Sequence, residues 1–147
     1  MENADIALSV SKAILGGDWS RVSDLLSEDF SYTGDGMVMN KQEYISFMQG
    51  MKAAFSDMAM EFTHVLSDGN QVSIRFITTC KHTGNFMGAP ATNKPLNIGG
   101  NFIRKIEGKK VVQEWQTTDL LGTLTQMGFG TLLGYSVFNV LFKPKKN

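Results

Sequence analysis

The sequence has a single cysteine, three prolines and two histidines in 147 residues, and each scarcity closes off a class of protein. One thiol, Cys80, cannot form an intramolecular disulfide or a thiolate cluster, which excludes a disulfide-stapled scaffold and a zinc ribbon. His64 and His82 have no carboxylate cluster beside them at ligand spacing, so no metal is expected. Charge of one sign is not in excess. The 14 Lys+Arg face 14 Asp+Glu, which leaves no summed field to attract a phosphate backbone, and nucleic acid is not an expected partner. Long apolar runs are also missing. The most apolar stretch, Phe129 to Phe142, is interrupted by Gly130, Gly134, Ser136 and Asn139 and falls short of the ~20 residues a membrane span needs. The first residues, Met1 to Asp5, lack the basic start and apolar stretch of a signal peptide, and a cytoplasmic location is expected.

What is present is the composition of an ordinary globular domain, 42% hydrophobic and 19% charged. Ile6, Val10 and Ile14 recur at helical spacing before Gly16-Gly17, which predicts a first helix over Asp5 to Leu15. Asp18 offers an N-cap to a short helix through Leu26, and Phe30 to Thr33 is a short extended piece ending in the Gly34-Asp35-Gly36 turn. Asn40 and Glu43 have the spacing of a capping box ahead of Tyr44, Phe47, Met48, Met51 and Phe55, a second long helix. From Met58 the period changes to two, with strands predicted at Met58 to Leu66, Gln71 to His82, Leu96 to Glu107 and Val111 to Thr118. Ser67-Asp68-Gly69-Asn70 and Glu107-Gly108-Lys109 are hairpin turns, and the longer loop from Thr83 to Pro95 is placed to rim a pocket. Asp119 can cap a last helix through Met127. Helices followed by a long antiparallel sheet predict an α+β layer whose curved sheet wraps the helices as a cone. Residues 1–128 form that cone, and residues 129–147 form an apolar docking segment, against the body or a second subunit of a homodimer, with a basic tail.

Side-chain alternation then selects candidate site residues. His82 shares parity with Val72, Ile74, Phe76 and Cys80, so it leaves its strand on the core side, either as an acid/base near neutral pH or as a group pinning the loop. Arg104 shares the core face of Leu96, Ile98, Phe102 and Ile106, where a guanidinium needs a carboxylate or a substrate oxygen; alternatively, close to the hairpin end, it is simply solvated. On the last strand, unbroken alternation puts Trp115 and Asp119 on one side and Glu114, Gln116 and Thr118 on the other. If the first side looks into the cone, Asp119 is a pocket carboxylate beside an aromatic wall; otherwise it is only a helix cap. Nine methionines supply adaptable apolar volume, and Tyr32, Met48, Met51, Phe55, Phe86 and Phe102 join Trp115 and Arg104 as the expected pocket lining. No nucleophile elbow or phosphate loop is present, so chemistry without a cofactor is expected.

The run Lys81-His82-Thr83-Gly84-Asn85-Phe86-Met87-Gly88, with Pro90, Thr92 and Glu114-Trp115-x-x-x-Asp119, resembles the SnoaL-like polyketide cyclase family. Ala54-Phe55-x-Asp57-Met58 and Ser67-Asp68-Gly69-Asn70-x-Val72 extend the resemblance over roughly Ala4 to Gly128. The resemblance implies the nuclear transport factor 2-like cone and a cofactor-independent, intramolecular aldol-type ring closure in which Asp119 is the acid/base. His82 and Arg104 do not carry over from it. The alternatives are isomerase or dehydratase chemistry in the same cone, or a non-catalytic module that binds a hydrophobic small molecule or dimerises.

Overall fold

A computed structural model describes residues 2–142. The chain runs α1 (Asn3–Gly16), α2 (Trp19–Leu25), β1 (Leu26–Gly34), β2 (Met37–Asn40), α3 (Lys41–Ala54), β3 (Phe55–Asp68), β4 (Gln71–His82), β5 (Pro95–Glu107), β6 (Lys110–Thr118), α4 (Leu120–Met127) and α5 (Phe129–Phe142). The six strands make one curved sheet in the order β2-β1-β6-β5-β4-β3, antiparallel except where β1 runs alongside β6. Helices α1 to α3 pack on its concave face. The fold is therefore the expected α+β cone, with two elements beyond those expected, the helix α5 and a short strand, β2, that pairs Met37 to Gly34 across the Asp35-Gly36 turn.

Local chemistry sets the helix ends. Glu2 and Asp5 form a reciprocal capping box at the start of α1, and Gly17 ends it in the left-handed conformation at φ 70°. Asn40 and Glu43 form a second box at α3. The apolar stripe of α1, Ile6, Ala7 and Val10, is sealed against the sheet, as are Tyr44 and Ile45 of α3. Tyr44 stacks obliquely on Phe30 and Tyr32, with centroids 5.0 and 5.4 Å away, and locks α3 onto β1.

Strands β4 and β5 alternate without interruption. Val72, Ile74, Phe76, Thr78, Cys80 and His82 point inward on one, and Leu96, Ile98, Gly100, Phe102, Arg104 and Ile106 on the other. At Gly100 a Cβ would stand 2.6 Å from Phe76 Cζ and 2.9 Å from the Thr117 carbonyl oxygen, so the missing side chain makes room for the ring opposite it.

Strand β6 does not keep one alternation. Pairing with β5 starts as Glu107↔Lys110 and Ile106↔Val111, then slips by one residue to Lys105↔Gln113 and Arg104↔Glu114. This bulge turns both Val111 and Glu114 inward, three residues apart, and reverses the parity of everything after it. Beyond β6, α4 packs on β5, and α5 packs against α4. In the 129–142 segment Leu133, Val137, Val140 and Leu141 are exposed. The basic tail, residues 143–147, lies outside the described residues.

Candidate functional site

Two cavities lie between the concave face and the helices. The deeper one, of about 110 Å³, is lined mainly by apolar groups of α3, β3, β4 and β5, among them Phe47, Met48, Met51, Phe76, Ile98 and Phe102. The second, of about 70 Å³, is walled by Tyr32, Phe86, Met87, Leu120 and Thr123. Phe47, Met51, Phe55, Ile98, Gln116 and Thr118 line both, so the two form one divided space.

The floor of the deeper cavity is polar and sealed. Arg104 is 2% exposed and Glu114 is fully buried, with Nε donating to Glu114 Oε2 over 2.6 Å. Arg104 Nη1 donates to the Ala7 carbonyl and, at 2.9 Å, to Ser11 Oγ, anchoring β5 to α1. The guanidinium also lies over the Phe102 ring, 4.2 Å from its centroid. The Tyr44 hydroxyl donates to the same carboxylate, 3.3 Å from each oxygen. Burial, reinforced by Glu114, holds the Tyr44 pKa well above its ordinary value, so the phenol keeps its proton. For Arg104 burial alone would act downward, but Glu114 and Tyr44 outweigh it and the charge is retained. Arg104 and Tyr44 both line the cavity.

Of the residues singled out from the sequence, Met48, Met51, Phe55, Phe102 and Arg104 line the deeper cavity, and Tyr32, Met51, Phe55 and Phe86 line the second. Burial pushes the Tyr32 pKa up, with Glu114 and Asp35 adding to it. Trp115 is a correction. The bulge in β6 sends Glu114, Gln116 and Thr118 inward and Trp115 outward, into a shallow groove with Asn101, Ile103 and Thr117. A strand read as unbroken carries the large aromatic inward and the carboxylate outward; the inserted residue inverts this, and Arg104 directly opposite compensates the buried Glu114.

Asp119 and His82 line neither cavity. Asp119 is exposed and caps α4, with Oδ1 accepting the Gly122 N–H at 2.9 Å, while its neighbours Thr118 and Leu120 face the second cavity. His82 is fully buried behind Phe55, with ring centroids 5.3 Å apart. Its Nδ1 accepts the Thr92 N–H at 3.2 Å, which puts the proton of the neutral ring on Nε2, and that atom has no partner among the described residues. Burial lowers its pKa, partly offset by the Gly84 backbone. Burial likewise raises the pKa of the Cys80 thiol. Among the described residues no three His, Cys, Asp or Glu side chains cluster as metal ligands.

The residues missed from the sequence are Ser11, Tyr44, Glu114, Gln116 and Thr118. The signal for Glu114 was available in part, because an inward Arg104 demands a carboxylate from a neighbouring strand. The bulge that brings that carboxylate round leaves no composition signature in Val111-Val112-Gln113.

The chain matches the model of the SnoaL-like polyketide cyclase family over residues 4–127. Solved structures share its architecture. AclR, a candidate hydroxylase from Streptomyces galilaeus, superposes with a TM-score of 0.77 at 21% identity over 85% of this chain and 94% of its own. IdmH, a candidate polyketide cyclase from Streptomyces antibioticus, gives 0.78 at 20% identity, covering 86% and 99%. A SnoaL-like protein from Jannaschia sp. CCS1 gives 0.80 at 17%, covering 86% and 92%. A search of curated proteins finds no match. Helix order, the curved mixed sheet and the family match over most of the sequence agree: this chain belongs to the SnoaL-like polyketide cyclase family.

Proposed function

We propose that this protein is a cofactor-independent acid/base enzyme that folds a hydrophobic, carbonyl-bearing small molecule into the divided cavity and closes a ring by an aldol-type reaction. The observation that carries this reading is the cavity itself: a partly open, methionine- and phenylalanine-rich space with a few polar groups on its wall, the usual character of a small-molecule site. The apolar walls would exclude water and hold a flexible chain with its reacting carbons close together. Arg104, charged and on the cavity wall, suits a substrate carbonyl oxygen.

Asp119 is the acid/base in this reading. Its carboxylate takes a proton from the carbon between two carbonyls, the electron pair left on that carbon attacks a second carbonyl carbon, and the new alkoxide recovers a proton from Asp119. Support comes from the Trp-x-x-x-Asp pattern and from the position of Asp119 between two residues of the cavity wall. Reaching the substrate requires it to turn away from Gly122, at the cost of one cap hydrogen bond, about 1 kcal/mol. The reading is tested by offering the protein a linear poly-β-ketone and an unsaturated cyclic ketone side by side. Ring closure of the first is the expected result; isomerisation of the second alone would replace cyclase by isomerase chemistry, and inertness toward both would remove the catalytic reading.

A further inference from the structure

We propose that Asp35 and Tyr32 form a second proton-transfer pair in this protein, one that enolises a ketone held in the second cavity. Among the described residues Asp35 is the only carboxylate on the wall of either cavity. Alternation along β1 carries Phe30, Tyr32 and Gly34 inward and would turn residue 35 away from the interior. The chain leaves the strand there in the left-handed region, at φ 48°, a conformation aspartate tolerates better than most residues, and Asp35 joins the wall beside Gln116 and Thr118. Its Oδ1 accepts the Thr118 N–H at 2.9 Å, which fixes the carboxylate across the end of β6.

Tyr32 supplies the partner group. It is only 1% exposed yet lines the same cavity, and a Cβ at Gly34 would stand 2.7 Å from its hydroxyl oxygen, so that oxygen lies against the residue preceding Asp35. Burial, Glu114 and Asp35 together keep the phenol protonated and able to donate. With a ketone oxygen at the Tyr32 hydroxyl, Asp35 Oδ2 takes a proton from the carbon beside the carbonyl. The C–H electron pair becomes the C=C bond of an enolate, and the carbonyl oxygen takes up the charge against the Tyr32 O–H. Return of a proton to that carbon restores the ketone, so no co-reactant is consumed. Asp35 is half-buried and also borders the outer groove of Trp115, which lets its carboxyl trade protons with water between the two steps. The inference rests on the reading of the cavity as a site for an apolar ketone, and on neither ring closure nor the role given to Asp119.

The test is deuterium exchange from heavy water into β-tetralone, an apolar ketone with acidic hydrogens beside its carbonyl, followed by proton NMR, with binding of the same ketone measured by calorimetry. The full chain should bind it and exchange those hydrogens faster than buffer alone. Asp35→Asn keeps an acceptor for the Thr118 N–H and suits the left-handed turn, so it should slow exchange by about a hundredfold with ketone binding and melting temperature unchanged. Tyr32→Phe, which loses only the hydroxyl, should slow it by a similar factor, about a hundredfold. A ketone that binds but exchanges no faster than in buffer overturns the proposal and leaves the cavity reading standing. Exchange that survives Asp35→Asn or Tyr32→Phe does the same. A ketone that does not bind removes both.

Discussion

Replacing Glu114 by Ala probes the polar floor of the cavity at its centre. The carboxylate is fully buried, takes the Arg104 Nε–H at 2.6 Å, and is 3.3 Å from the Tyr44 hydroxyl through both oxygens. Its removal leaves a buried guanidinium without its counter-charge and a buried phenol without its acceptor. Breaking one side of such a pair costs about 3–5 kcal/mol. For a domain of this size each kcal/mol lowers Tm by about 2–4 °C, which predicts a fall of roughly 6–20 °C. The double variant Arg104→Met, Glu114→Leu removes both charges and fills the volume, and should recover most of that loss, since two well-packed apolar groups substitute for a buried pair at little net cost. Urea unfolding followed by tryptophan fluorescence and circular dichroism measures both changes. A Glu114→Ala loss below about 1 kcal/mol, or a double variant as unstable as the sum of the singles, refutes the claim that the pair is sealed and mutually dependent.

Other parts of the account are open to similar tests. Trp115→Phe should leave binding of an apolar ketone within about twofold, whereas Thr118→Val, which removes a hydroxyl from the wall shared by both cavities, should alter affinity or turnover measured by titration. His82 has its folded pKa below 6.5, so at acid pH the unfolded chain binds more protons than the folded one; its contribution to stability is present above about pH 6.5 and is lost as pH falls through the lowered value. Urea midpoints at pH 7.5 and 5.5 should accordingly fall more for the wild type than for His82→Asn. Asp119→Ala should cost about 1 kcal/mol through the lost cap, while Asp119→Asn, an equally good N-cap, should leave the melting temperature in place.

The capping box at Asn40 and Glu43, the N-cap at Asp119, the hairpin turns and the faces of β4 and β5 were all legible in the sequence because each is fixed within a few residues. The inward set of β5, including Arg104, follows from alternation alone. The short strand β2 escaped because Met37 to Asn40 offers too few residues to show a period, and its pairing with β1 defines it. The face of β6 was lost for a different reason. A bulge is a property of two strands in register, and the slip between Lys105 and Ile106 moves Glu114 inward and Trp115 outward without altering local propensity. The polar floor of the cavity depended on that slip, and its members come from α1, α3, β5 and β6, with hydrogen-bonded partners up to 97 residues apart in the chain. The apolar lining was easier to foresee, since Met48, Met51 and Phe55 recur at helical spacing and line one cavity.

The central claim is that Asp119 moves the proton in a reaction carried out in the divided cavity. Turnover of a linear poly-β-ketone by wild type and Asp119→Asn, at matched circular dichroism spectra and melting temperatures, tests it most directly, because asparagine keeps the α4 cap and removes only the basicity. The account predicts a loss of at least a hundredfold in kcat with an intact helix. Undiminished turnover by Asp119→Asn would leave that aspartate a cap and nothing more.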